Sequence, residues 1–186
     1  YRDVGDFENA LKLIGEAALI YQSGGARREL ANAYSSTGAL YLVSGDRTKA
    51  LELFQKALEI HRSLEDEEGR AAVLKNIGQT HLDRDEPQKA LEYFQTARRL
   101  AEIAGDTSSA AQNLIFLARA YEKLNDTEKA EANFARGLKI QREIGLQPDA
   151  ADSLYYYARF DERAGRRATA IEKMRELVRI TGDLRN

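Results

Sequence analysis

The feature that most restricts the fold of this 186-residue chain is an interval of forty residues at which it repeats itself. Laid out at that interval, Ala10, Ala50, Ala90, Ala130 and Ala170 share a column, and four residues further on stand Ile14, Phe54, Phe94, Phe134 and Met174. A third column holds Ala17, Ala57, Ala97, Gly137 and Leu177, and a fourth Ile20, Ile60, Leu100, Ile140 and Ile180. Steps of four, three and three keep these positions on one face of an α-helix, which turns once in about 3.6 residues. A second helix precedes it in each unit. Its columns read Tyr34, Leu74, Leu114 and Leu154; then Gly38, Gly78, Ala118 and Ala158; then Tyr1, Tyr41, His81, Tyr121 and Asp161. A small residue between large ones lets two helices approach closely where they cross.

Each unit is therefore expected to be an antiparallel helix pair. Turn-forming residues separate its two helices at Ser44-Gly45-Asp46, Asp83 to Pro87, Leu124-Asn125-Asp126 and Ala164-Gly165-Arg166, while Gly24-Gly25, Gly105-Asp106 and Gly145 mark joints between units. Asp46 and Asp126 suit helix N-caps, and Pro87 suits a first helical turn. The predicted helices span 6–22, 26–44, 46–64, 67–83, 86–104, 107–124, 126–144, 148–164 and 167–181. They make one repeat domain over 1–186, with a partial unit at 1–30 and units at 31–70, 71–110, 111–150 and 151–186. A single pair is too thin to bury its own apolar stripe, so stacking must supply the core of an all-α solenoid.

The column set of Gly or Ala, Tyr, Ala, Phe and Ala resembles the tetratricopeptide repeat over essentially the whole chain. The best copies are Gly38-Ala39-Leu40-Tyr41 with Ala50, Phe54 and Ala57, and Asn76-Ile77-Gly78 with Ala90, Phe94 and Ala97. The usual unit has 34 residues and a proline near its end. Here the unit has forty, with Arg62, Glu102, Arg142 and Gly182 near that place. That is similar to the longer subtype of kinesin light chains, Leu-Gly-Asn-repeat adaptors and bacterial multi-repeat proteins. The resemblance implies a right-handed superhelix. The fourth unit departs furthest, with Asp161, Met174 and Leu177 in place of Tyr, Phe and a small residue.

Composition excludes much chemistry. Lys and Arg number 28 and Asp and Glu 30, giving a net charge of -2, so no basic excess points to nucleic acid. Arg27-Arg28, Arg98-Arg99 and Arg166-Arg167 fall at different places in the unit and form no stripe. With no cysteine there is no disulfide, thiol catalysis or thiolate zinc site. No Gly-rich phosphate loop, zinc-protease helix or EF-hand loop occurs. His81, in the tyrosine column, is expected to pack between helices and reach one polar partner. His61 is expected to be a partly exposed cation at a helix C-terminus. Glu65-Asp66-Glu67-Glu68 reads as a solvated turn opening the next helix, and Asn125-Asp126-Thr127 as a turn with an N-cap. In Tyr155-Tyr156-Tyr157, Tyr157 falls on the core side with Leu117 and Ile77. Apolar runs are too short to cross a membrane and no signal peptide opens the chain. These features predict a cytoplasmic, non-catalytic protein without cofactor or metal.

The resemblance implies that the first helices line a concave groove that holds peptide segments. The groove positions are Asn32, Ser35, Ala39 and Leu42; Ala72, Lys75, Gln79 and Leu82; Gln112, Ile115, Arg119 and Glu122; and Asp152, Tyr155, Arg159 and Glu162. Ile115 and Tyr155 are expected as apolar anchors beside Arg119 and Arg159. Glu122 and Glu162 lie three residues beyond the arginines, within reach along each helix. The carboxylate clamp of chaperone-binding relatives is not reproduced. The corresponding positions read Ser35, Ala39, Asn76, Gln112 and Phe116, or Lys75, Gln79, Phe116, Asp152 and Tyr156, neither of which is a positive cluster. The expected partner is a protein or peptide, not nucleic acid or membrane. Two alternatives stand beside it. Tyr155-Tyr156-Tyr157-Ala158-Arg159 is similar to arrays that precede bacterial caspase-like CHAT peptidases, which suggests a regulatory segment of a larger enzyme or sensor. Apolar Ile171, Met174, Leu177, Val178 and Ile180 on the last helix suggest end-to-end self-association or continuation into a longer chain.

Overall fold

The computed structural model describes residues 2–183, with side chains over 7–182; Tyr1 of the tyrosine column and residues 184–186 of the fourth unit lie outside it. Among the described residues the chain forms α1 (Arg2–Gly24), α2 (Arg27–Ser44), α3 (Arg47–Ser63), α4 (Glu67–Asp83), α5 (Pro87–Ala104), α6 (Thr107–Lys123), α7 (Thr127–Glu143), α8 (Gln147–Arg163) and α9 (Arg167–Asp183). No strand occurs among them. The largest difference from the predicted spans is at α1, which begins at Arg2 instead of residue 6. None of these helices is long and apolar enough to cross a membrane.

Every turn between these helices places one residue in the left-handed region. Gly25, Gly45, Gly105, Gly145 and Gly165 take φ from 72° to 90°, and Glu65, Asp85 and Asn125 take 53° to 60°. At most of them the following N–H returns to a carbonyl five residues back, as Asp66 does to His61 at 3.0 Å and Leu146 to Gln141 at 2.9 Å. This closes the helix end by satisfying a carbonyl that would otherwise lack a partner. Asp46, Asp66, Asp106 and Asp126 then cap the next helix, accepting from the N–H of Lys49, Gly69, Ser109 and Lys129.

The repeated columns form the core. Phe54, Phe94 and Phe134 are fully buried, each worth about 2–3 kcal/mol of hydrophobic transfer. Their rings sit on the small-residue column: a Cβ added at Gly78 would lie 2.6 Å from Phe94 Cε1, and one at Gly38 2.7 Å from Phe54 Cε1. Toward the ends the packing opens, at Met174 and Ile20 within these columns and at Leu13 and Val178 beside them, while Ala170 and Ile180 stay buried. Met174 is 36% exposed, and Leu13, Ile20 and Val178 are each about two-thirds exposed. Consecutive helices pack on one another throughout. In addition α2 touches α4, α4 touches α6 and α6 touches α8, whereas the second helices make no such contacts with each other. The first helices are therefore the inner layer of the solenoid.

Polar side chains are built into the packing as well, among them His61 and Asp161, with His81 half-buried at its edge. His81 stacks on Tyr93 at 5.2 Å and shares a 2.6 Å hydrogen bond with Glu86, as expected for a packed histidine with one partner. His61 corrects the sequence reading: it is 1% exposed, not a surface cation. Its ring fills the space over Gly69, which has no side chain to oppose it, and Nδ1 meets Asp66 Oδ2 at 3.0 Å. Asp66 is likewise no solvated turn residue, being bound also by Arg28 Nε at 3.2 Å. Asp161 is 1% exposed between Arg166 Nε at 2.8 Å and Lys173 Nζ at 2.6 Å. Burial alone raises the Asp161 pKa, but these bonds outweigh it and hold the carboxyl below the usual range. Tyr157 stacks on Phe134 at 5.1 Å under Lys173, and burial pushes its hydroxyl up.

Candidate functional site

The inner layer brings side chains from successive first helices together. On α2, Asn32 is exposed and Ser35 accepts from Asn76 Nδ2 at 3.5 Å. On α4, Lys75 Nζ donates to Gln112 Oε1 at 2.7 Å. Gln79 is used at both ends: Nε2 donates to Asp83 at 2.6 Å, and Oε1 accepts from Arg119 Nη1 at 3.0 Å. The Arg119 guanidinium also lies 4.3 Å from the Tyr156 ring centroid and 5.4 Å from that of Phe116. On α8, Tyr155 is 42% exposed and meets Tyr156 edge-on at 5.5 Å, while Asp152 and Arg159 face solvent.

Two adjoining recesses result. The larger, about 620 Å³, is lined by Arg119, Glu122, Tyr155, Tyr156, Arg159 and Arg163, among others. The smaller, about 230 Å³, brings together Gln79, Gln112, Arg119, Gln141, Asp149 and Asp152. They share Arg119 and Tyr156. Lys75 adjoins the smaller recess through Gln112. Burial depresses its pKa, opposed by the fields of Asp149 and Asp106. Asn32 and Ser35 lie on α2 and line neither recess.

Two expectations change. Ile115 is 5% exposed, because Gly137 presents no side chain and α7 closes over it; a Cβ at Gly137 would lie 2.7 Å from Ile115 Cδ1. Ile115 is thus mostly core packing, with only its edge left in the wall of the smaller recess. Arg119 is not paired with Glu122: it is taken by Gln79 and the rings, and Glu122 accepts from Arg163 Nε at 2.7 Å. Arg159 does reach Glu162, at 3.3 Å. The groove positions read from the sequence omitted Phe116, Tyr156, Arg163, Gln141 and Asp149. Phe116 and Tyr156 occupy one column at the forty-residue interval, a signal that pairs them across α6 and α8.

At least one member of each basic pair is used inside the molecule: Arg28 on Asp66, Arg98 on Glu102, Arg166 on Asp161. Among the described residues no three His, Asp or Glu side chains converge as a metal-ligand group.

Comparison with known proteins follows the same geometry. The chain superposes on BtubC (BKLC) from P. vanneervenii with a TM-score of 0.79 at 21% identity, covering 100% of this chain and 77% of that one. It superposes on the putative kinesin light chain nearly identical TPR-like repeats of Podosopora anserina with a TM-score of 0.72 at 18% identity, covering 100% and 91%. A Rap protein complexed with Competence and Sporulation Factor matches with a TM-score of 0.67 at 21% identity, over 94% of this chain and 58% of that one. At these identities the likeness is one of fold. No curated protein sequence matches the chain. Two family models, both described as tetratricopeptide repeat, match residues 1–63, 29–103 and 69–143 in one case and 115–184 in the other. With these matches running from end to end on a solenoid of helix pairs, the chain belongs to the tetratricopeptide repeat family.

Proposed function

We propose that the chain is a non-catalytic protein-interaction module whose inner face, formed by α2, α4, α6 and α8, holds an extended peptide or protein segment. Units at 31–70, 71–110, 111–150 and 151–186 would each give one helix to that face. The observation that carries this reading is the pair of adjoining recesses that share Arg119 and Tyr156 and set aromatic rings beside exposed arginines. Such residues dominate the energy of many protein interfaces. A Rap protein of similar fold is seen complexed with a factor, which supports the use of this architecture for binding. Tyr155 and Tyr156 supply apolar contact, and Arg159 and Arg163 attract a carboxylate. The exposed Arg159–Glu162 pair is worth only about 0.2–1 kcal/mol, so a ligand carboxylate competes for it.

Affinity capture from the source cell, with mass spectrometry, identifies a partner for titration. Arg119→Ala with Arg159→Ala, and separately Tyr155→Ala with Tyr156→Ala, are expected to weaken its binding about tenfold or more while helicity is kept. Unchanged affinity in both moves the site off this face.

A second reading rests on α9. Ile171 is 52% and Val178 65% exposed, and with Met174 they line a recess of about 550 Å³ that suits the apolar face of another helix. A mass by light scattering that stays constant with concentration, in wild type and in Val178→Asp alike, rejects self-association there.

A further inference from the structure

The outer layer carries one cleft that departs from the repeat. Among the described residues the second helices do not touch one another, so successive ones are separated by a cleft floored by the first helix between them. Between α3 and α5 that cleft is filled, because Tyr93 stacks on His81 at 5.2 Å. Between α7 and α9 it is filled again. Lys173 lies 4.0 Å from the Tyr157 ring centroid and donates to Asp161, and Arg142 Nη2 reaches both oxygens of Glu176 at 2.6 Å. Between α5 and α7 the place of Tyr93 and Lys173 is taken by Asn133, whose Nδ2 turns back to the Lys129 carbonyl at 2.8 Å. A recess of about 510 Å³ remains over Leu117 and Tyr121.

The walls of this recess are basic, against the pattern of the repeat. Arg98 stands in the column of Leu58 and Leu138, which are 8% and 4% exposed. The exchange does not favour folding: Arg98 Nε is buried without a partner, while Nη1 donates to Glu102 at 2.9 Å. The Arg98 side chain keeps 28% of its surface exposed. Arg99 and Arg136 line the same recess and make no hydrogen bond or ion pair among the described residues. Glu102 is the one carboxylate in the lining, and Arg98 holds it. Three arginines against one glutamate leave the lining at +2, in a chain whose net charge is -2. Guanidiniums gathered in one cleft repel one another until an anion joins them. A sequence that breaks its own packing rule with no gain in stability marks a place where function is expected.

We infer that this outer recess binds a phosphate group in its doubly charged form. Guanidiniums stay charged at any working pH and offer paired N–H donors that match phosphate oxygens. A carboxylate brings one charge and leaves half of the excess unmatched. A phosphate monoester brings close to two at neutral pH, with three strong acceptor oxygens. Arg98 and Arg99 reach it from α5 and Arg136 from α7, and Gln95 adds a neutral donor. Leu114 and Leu117, both buried, back the recess with apolar packing, where charged contacts are less screened than in open water. The site lies on the outer layer and is independent of any segment held by the inner face.

The test is titration of the isotope-labelled whole chain with inorganic phosphate, phosphoserine, diethyl phosphate and acetate at constant ionic strength. Binding is read from the arginine Nε–H resonances and the backbone amides of α5 and α7. Inorganic phosphate or phosphoserine is expected to give saturable shifts confined to the recess, and the tighter of the two identifies free phosphate or a phosphorylated side chain as the source. Phosphoserine should bind about fivefold or more tighter at about pH 7.5 than at about pH 5, because its second charge is gained near about pH 6. Diethyl phosphate and acetate, with one charge each, should bind about tenfold or more weakly. Arg99→Gln with Arg136→Gln, both exposed, should abolish saturation at an unchanged melting temperature. Arg98→Leu restores the residue of its column and should weaken binding about tenfold, with a melting temperature that holds or rises. Shifts that never saturate, acetate as tight as phosphoserine, or an affinity that survives these substitutions each overturn the inference. None of these results bears on the inner-face reading.

Discussion

The joint between α3 and α4 and the joint between α7 and α8 use the same turn, eighty residues apart, and differ in whether it is filled. In the first, the His61 ring covers Gly69 and is fixed by Asp66, which also caps α4 and binds Arg28. In the second, Gln141, Leu146 and Asp149 occupy those three places, Gln141 Oε1 has no partner, and a recess remains. The aspartate serves as both helix cap and histidine partner, so its exchange for leucine removes two interactions at once. The repeat thus opens a pocket by changing side chains alone, since both joints keep their backbone hydrogen bond, at 3.0 and 2.9 Å.

The comparison breaks most readily at Gly69. Gly69→Asp copies the open joint into the sealed one, drives the His61 ring from its seat and strands Asp66. A loss of about 3 kcal/mol or more is expected in urea denaturation. The reverse change, Asp149→Gly, should cost no more than about 1 kcal/mol, the helix propensity of glycine. Equal losses would mean that the joints are not packed differently.

A smaller effect tests the charge at the sealed joint. Burial raises the Asp66 pKa, but the Gly69 N–H, His61 and Arg28 together hold it below the ordinary value. Its contribution is therefore complete above the unfolded carboxylate pKa of about 3.9 and is lost as pH falls through the lower folded value. Asp66→Asn, which keeps a capping oxygen, should cost about 1–2 kcal/mol near neutrality and flatten the acid limb of the stability curve. Urea midpoints from about pH 2 to about pH 6 measure both.

Two changes at the open joint should do least. Leu146→Asp restores the missing cap and is expected to stabilise by about 0.5–1 kcal/mol. Gln141→Leu removes the unpaired amide at similar volume and should lie within about 1 kcal/mol of wild type, on the stabilising side. A loss of several kcal/mol on Gln141→Leu would show that the amide has a structural partner.

The architecture was legible because its determinants repeat. The alanine and phenylalanine columns mark the core, and the glycine column marks the crossings where Phe54 and Phe94 sit. The site was less legible, because its geometry depends on what faces each residue from another helix. Helix-end position made His61 look exposed, while the deciding residue was Gly69. Spacing along α6 made Ile115 look like an anchor, while the bare Gly137 draws α7 over it. The three-residue step suggested an Arg119–Glu122 pair, yet partners one unit away, Gln79 and Arg163, take both. Gln141 carried a usable signal: a polar residue in a buried column, with no aspartate five residues on to receive it.

The pattern of helix contacts has a consequence for how the chain comes apart. No described helix touches another more than two places along the sequence, so nothing ties α1 to α9. Folding free energy is then a sum of nearest-neighbour terms, and the molecule behaves as a one-dimensional array able to melt from either end. Amide exchange should be slowest in α4 to α6, where both sides are covered, and fastest in α1 and α9. Because the recesses lie between α4 and α8, fraying of α9 reaches the larger one first, and a ligand seated there would hold the last helices in register.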